Sequence, residues 1–221
     1  MIYFRGCTAR KKQSNISKAT QYLLDLANVD YTILEDEKCC GSVLLRTGFC
    51  DDAEKLISDN TEKFKGKTII TSCAGCYKTL KEDYEGIDVI HISQLLNKLI
   101  KEGKFNLKKS DLVVTYHDPC HLSRNINVYE EPRNVINSVA LLVEMENHHQ
   151  NSLCCGAGGG VKSAYPKIAH EISIGRLKQA KDTNADKLIT TCPFCKTNLK
   201  NKDIEVLDLC EFLIGELDEG K

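Results

Sequence analysis

Residues 68–80 read TIITSCAGCYKTL, and residues 188–199 read LITTCPFCKTNL. Each is a short β-branched run ending in Thr, with Cys-x-x-Cys close behind it. Such runs read as strands, and strands alternating with helices read as parallel sheets covered on their faces. Working outward, each stretch closes a longer pattern. The first pattern is Cys7, 31 residues, Cys39-Cys40, 32 residues, then Cys73-x-x-Cys76. The second is Cys120, 33 residues, Cys154-Cys155, 36 residues, then Cys192-x-x-Cys195. Glycine follows the doublet in both, as Gly41 and Gly156, and the halves end alike in VIHISQLLNKLI and VLDLCEFLIGEL. The offset between copies grows only from 113 to 119 residues, as a duplication with small loop insertions would give.

Periodicity fills in the rest. The first half predicts a helix over 16–27, a strand over 31–34 and a helix from Asp51-Asp52. A strand at 68–71, a helix from about Cys76, a strand at 87–90 and a helix from Ser93 complete it. The second half predicts strands at 112–116, 140–144 and 187–191. Its helices are placed near Glu131, with Pro132 in the first turn, over 168–180, and from Asp208. The expectation is an α/β fold of two pseudo-symmetric Rossmann-like lobes with parallel sheets, residues 1–108 and 109–221. They meet in the polar stretch 101–110, and the absence of a Pro-rich or Ser-rich linker predicts close packing.

Composition excludes several classes. The chain has 221 residues, 28% of them charged, with formal net charge −1, which argues against a nucleic-acid partner. Its best apolar run, 135–143, is far too short for a membrane span. MIYFRGC lacks the apolar core of a signal peptide, so the expected location is the cytoplasm. Against that background stand twelve cysteines, no tryptophan and two methionines.

Three readings of the cysteines compete. A disulfide framework conflicts with a reducing cytoplasm. It would also make Cys39-Cys40 and Cys154-Cys155 vicinal bridges, with Cα atoms about 3.8 Å apart where ordinary disulfides need roughly 4.4–6.8 Å. Zinc suits a Cys-x-x-Cys half-site, but structural zinc takes four ligands and each half offers five thiols, so zinc remains an option at one site. An iron–sulfur cluster in each half is favoured. Neighbouring thiolates can bind different irons of one cluster, and a helix N-terminus after Cys-x-x-Cys supplies N–H groups to anionic sulfur.

The doubled C…CCG…CxxC arrangement, with TSCAGCYKTLKEDY, YHDPCHL, CCGAGGG and TTCPFC, resembles the cysteine-rich CCG domain proteins over essentially the whole chain. Those proteins include the catalytic subunit of heterodisulfide reductase from methanogens. They also include iron–sulfur subunits of lactate, glycolate and anaerobic glycerol-3-phosphate dehydrogenases. The resemblance implies two non-cubane [4Fe–4S] clusters. One would sit on Cys7, Cys39, Cys40, Cys73 and Cys76, the other on Cys120, Cys154, Cys155, Cys192 and Cys195. It implies reduction of a small disulfide to two thiols, or, as the alternative, electron relay in a dehydrogenase complex. No separate catalytic residue is needed beyond the cluster ligands. A zinc-stabilised assembly module is the non-redox alternative.

The chain has no ferredoxin-type cysteine run, GAGGGV at 156–161 departs from the dinucleotide fingerprint, and no GK[ST] phosphate loop is present. Electrons are therefore expected from a partner, an iron–sulfur or flavin subunit. Cys210 reads as a buried apolar residue in an amphipathic helix; Cys50 receives no role. His117, Asp118 and His121 flank Cys120 and read equally as groups tuning the cluster or as a turn. His148 and His149 read as solvated. Arg10, Lys11, Lys12, Arg46, Arg124 and Lys162 lie near the cysteine motifs and read chiefly as surface charges, with steering of an anionic substrate as the functional option.

Overall fold

The computed structural model describes residues 1–218. The first half runs β1 (Ile2–Phe4), α1 (Cys7–Lys11), α2 (Ser14–Leu26), α3 (Ser42–Arg46), α4 (Cys50–Phe64), β2 (Thr68–Thr71), α5 (Ala74–Glu82), β3 (Asp88–His91) and α6 (Ile92–Lys101). The second runs β4 (Val113–His117), α7 (Glu130–Asn137), β5 (Leu141–Leu142), α8 (Val161–Ala164), α9 (Pro166–Asp182), β6 (Lys187–Thr190), α10 (Pro193–Leu199), β7 (Glu205–Asp208) and α11 (Leu209–Gly215). Two parallel sheets result, ordered β1-β2-β3 and β5-β4-β6-β7. The expected α/β class with two parallel sheets is what the chain adopts.

The sheets superimpose in logic. Phe4 pairs with Thr71 and His117 with Thr190, so β1–β2 and β4–β6 share one register relative to the cysteines that follow. Tyr3 and Tyr116 are both fully buried, and their hydroxyls bond the residue before each Cys-x-x-Cys, Ser72 at 2.9 Å and Thr191 at 2.7 Å. The strand expected at 31–34 shrinks to one parallel bridge, Ile2 to Thr32, the counterpart of the two-residue β5. Strands β1 and β7 were not expected: three and four residues are too few to show alternation.

One hydrophobic core crosses between the halves. Leu23 and Leu24 of α2 and Leu95, Leu96 and Leu99 of α6 share it with Val135 and Ile136 of α7 and Phe212 and Leu213 of α11. Helix α6 packs on α7, and α11 on α2, which is the pseudo-two-fold exchange of the same pair of elements. Both closing helices start with a reciprocal cap: His91 accepts from the Ser93 N–H while Gln94 reaches back, and Asp208 accepts from the Cys210 N–H while Glu211 reaches back. Cys210 is fully buried in this core and accepts from the Thr20 hydroxyl at 3.4 Å, in keeping with its expected apolar role.

Candidate functional site

In a parallel sheet, loops at the C-terminal strand ends gather the chemistry, and here the first cysteine and the Cys-x-x-Cys of each set lie at such an end. Cys7 follows β1, Cys73 follows β2, Cys120 follows β4 and Cys192 follows β6. Cys73 and Cys192 are the N-caps of α5 and α10, so each Cys-x-x-Cys turn coincides with a helix start, which for the first is two residues before the expected Cys76. Free N–H groups of the first turn therefore face the sulfurs.

All ten cysteines of the two patterns line one cavity of about 320 Å³ between the halves. None of the twelve forms a disulfide. Burial repeats within each set: Cys40, Cys73 and Cys76 are buried, as are Cys155, Cys192 and Cys195, whereas Cys7, Cys39, Cys120 and Cys154 are half-buried. Cys39 donates to the Cys7 sulfur at 3.8 Å. The other thiols influence one another's ionisation in a chain that runs from Cys39 through Cys40, Cys76 and Cys73, crosses to Cys192, and continues through Cys195, Cys155 and Cys154 to Cys120. Cys50, by contrast, is exposed at the start of α4.

Crowding this many thiols has an electrostatic signature. Cys40, Cys154 and Cys192 are pulled well towards the thiolate, chiefly by thiol hydrogen bonds from Cys39, Cys120 and Cys195. Their partners are pushed the other way: Cys76 by its bond to Cys40, Cys155 up to about 12 by its bond to Cys154. Ten sulfurs in one lining cannot all ionise without cations among them. Five per half exceeds one tetrahedral ion and suits a polynuclear, thiolate-ligated group.

The surrounding shell is built by residues the sequence did not single out. The buried Glu37 carboxylate accepts from the N–H groups of Arg5 and Gly6, both at 3.0 Å, and pins the turn that delivers Cys7. Gly6 has φ +76°, and a Cβ there would stand 2.9 Å from the Cys76 sulfur. Gly156 has φ +87°, and its Cβ would meet the Ala169 carbonyl oxygen at 2.5 Å. Its N–H donates to the Cys154 sulfur at 3.2 Å.

The flanking residues separate. Asp118 is fully engaged elsewhere: Arg133 grips it at 2.8 and 2.9 Å, and the His149 N–H donates to it at 2.9 Å, so its role is to fix the turn. His121 lines the cavity, with burial pushing its pKa down. His117 is buried at the end of β4, and burial together with the neighbouring Arg176 charge lowers its pKa to about 3. His148 and His149 are half-buried, joined to each other at 2.6 Å, with His149 bonded to Glu130, rather than simply solvated. Of the basic residues, Lys12, Arg46 and Lys162 line the cavity; Arg10 and Arg124 bond the carbonyls of Glu37 and Ser152.

A duplicated parallel α/β scaffold converging ten thiols on one cavity defines a cysteine-rich redox-type or metal-type protein, not a disulfide-stapled one. The chain belongs to the CCG cysteine-rich domain family, which matches residues 1–81 and 114–200. It is 42% identical to a subunit of the dihydromethanophenazine:CoB–CoM heterodisulfide reductase of Methanosarcina acetivorans, covering 95% of this chain and 57% of that protein. A subunit of the fumarate reductase (CoM/CoB) of Methanothermobacter marburgensis is 37% identical, covering 96% and 45%. The EtfAB:quinone oxidoreductase of Syntrophomonas wolfei is 31% identical, covering 96% and 34%. The chain spans just over half the length of the heterodisulfide reductase proteins it matches. No helix among the described residues is long and apolar enough to cross a membrane.

Proposed function

We propose that the protein is an iron–sulfur oxidoreductase of heterodisulfide reductase type, working in the cytoplasm. Residues 1–108 would hold one non-cubane [4Fe–4S] cluster on Cys7, Cys39, Cys40, Cys73 and Cys76. Residues 109–221 would hold the second on Cys120, Cys154, Cys155, Cys192 and Cys195. The observation that carries this reading is the lining of one cavity by both complete five-cysteine sets. When bound, the clusters supply one-electron redox centres with thiophilic iron.

What the chain itself contributes is access, charge and proton supply. Cysteines of both sets line the cavity, and Cys7, Cys39, Cys120 and Cys154 keep partial exposure, so a small sulfur compound has a place to approach them. Lys12, Arg46 and Lys162 give the wall positive charge, which favours an anionic disulfide. Cleavage of one S–S bond into two thiols consumes two electrons and two protons. The electrons come from a partner iron–sulfur or flavin subunit. Among the described residues His121 is the one histidine of the cavity wall, hence the imidazole placed to hand protons to the departing sulfurs.

The relay reading, in which the same centres only pass electrons onward, is favoured by the likeness to the EtfAB:quinone oxidoreductase. Anaerobic reconstitution separates the two. Iron and sulfide sufficient for two clusters, disulfide reduction with a low-potential dye as donor, and an EPR signal that changes on adding thiol are the expected results. Full loading with no turnover and an EPR signal indifferent to thiol would establish relay alone. Zinc in place of iron would remove the redox reading.

A further inference from the structure

The two halves repeat one another closely, so positions where they differ around the cavity carry information. Two such positions lie behind the doublet and Cys-x-x-Cys sulfurs. At the end of the first strand the first half has Phe4 and the second has His117, in the same register against Thr71 and Thr190. On the helix after the doublet, Gly41 abuts Ala53 and Gly156 abuts Ala169, which aligns α4 with α9. Seven residues further on, the first half has Asn60 and the second Arg176, both with no exposed surface.

The second pair is connected. Arg176 Nε donates to His117 Nδ1 at 3.0 Å. Its remaining hydrogen bonds go to the Asn147 carbonyl, the Gln179 side-chain oxygen and the Ser152 hydroxyl, all neutral. A buried guanidinium hydrogen-bonded only to neutral acceptors is costly unless anions stand nearby; the nearby carboxylates, Asp118 and Glu144, are themselves paired with Arg133. Because Nδ1 accepts, the neutral ring carries its proton on Nε2. Nε2 is buried and has no partner. A ring nitrogen of His117 and the sulfurs of Cys155 and Cys195 lie within 4.8 Å of one another. With its proton fixed on Nε2, His117 faces those sulfurs as a donor and not as a ligand. In the first half, Asn60 donates instead to the Cys39 carbonyl at 2.9 Å and to the Tyr84 hydroxyl at 3.0 Å, and Phe4 stacks edge-on against Phe64.

We propose that the two sites are electrostatically inequivalent: His117, its tautomer set by Arg176, donates to sulfur at the second site and makes that cluster the more readily reduced of the two. This rests on the iron–sulfur reading above. A side-chain donor aimed at sulfur and a buried positive charge both stabilise the reduced, more negative state, and the side chains of Phe4 and Asn60 supply neither. Arg176 is a positioning residue; it acts through the imidazole.

The test is an EPR-monitored redox titration of the anaerobically loaded protein, with iron and sulfide counted for every sample. Wild type should show two distinct midpoints. His117→Phe, which copies the first half, should lower the upper midpoint by at least tenfold in the reduction equilibrium, about 59 mV for one electron, and leave the lower one in place. His117→Gln, which keeps a donor near the Nε2 position, should retain most of the wild-type separation. Pulsed EPR on wild type carrying ¹⁵N-histidine should show ring-nitrogen coupling to the cluster reduced first, a measurement independent of any variant's folding. Coincident midpoints in wild type, an upper midpoint unmoved in loaded His117→Phe, or no ring-nitrogen coupling would overturn the inference while leaving the cluster reading intact. Failure of wild type to take up iron and sulfide would instead strike the reading on which it rests.

Discussion

The residues that shape the site most are not the ones that announce themselves. The cysteines were legible because five thiols at matched spacings occur twice. Glu37 and Arg176 were not, since a lone Glu before a doublet or an Arg in a helix is ordinarily a solvated charge. Here Glu37 is 3% exposed and answers two backbone donors. Glu37→Gln leaves one acceptor where two N–H groups converge, and should cost about 1–3 kcal/mol in denaturant unfolding. Iron should be lost from the first set before the second. Gly6→Ala should act more sharply and in the same place. The added methyl meets the Cys76 sulfur from a backbone φ that alanine resists; iron content near half that of wild type is the expected readout, and unchanged loading would refute it.

At the level of elements, the sequence predicted well where a pattern had length and poorly where tertiary contact decided. Helix α9 was expected over 168–180 and spans Pro166–Asp182, and the β2 strand was expected and found at Thr68–Thr71. The five-residue α1 and α3, the four-residue α8 and the seven-residue α10 escaped notice because each is two turns of helix or less, too brief to show a period. Their positions come from the cysteine-bearing turns they adjoin. The cap of α11 carries a pH consequence. Burial raises the Asp208 carboxyl to about 8, whereas an unfolded chain ionises it near 4. The folded state therefore holds a proton the unfolded one releases between those values. The Asp208 contribution is complete below about pH 4 and declines as pH rises towards 8, at about 1.4 kcal/mol per unit. Asp208→Asn keeps the Oδ1 acceptor for the Cys210 N–H and should flatten the stability profile across that window. A slope identical to wild type would count against it.

On the scale of the whole molecule, the duplication did not produce two independent cores. Because α2, α6, α7 and α11 bury a common set of side chains, neither half can close its core alone. A single cooperative transition is expected by circular dichroism and by near-UV absorbance of the loaded protein together. Leu213→Ala, in α11 but packed in the shared core, should destabilise by about 2–5 kcal/mol and lower the retention of iron in both sets to a similar degree. Separate transitions for the halves would contradict this. The pseudo-two-fold exchange of closing helices was not visible in the primary pattern, because helix-to-helix pairing depends on faces that periodicity alone leaves unassigned.

The crossing from Cys73 to Cys192 also determines how the molecule must be handled. These sulfurs come from opposite halves, line the same cavity, and each shifts the ionisation of the other. Stripped of metal and exposed to air, the chain has a ready-made place to weld itself shut. A bridge there would fasten the halves together and withdraw one donor from each quintet at once. Chelation under oxygen should accordingly yield a compact monomer that refuses to take iron back until a reductant is supplied. Mass spectrometry of its peptides should find residues 73 and 192 joined.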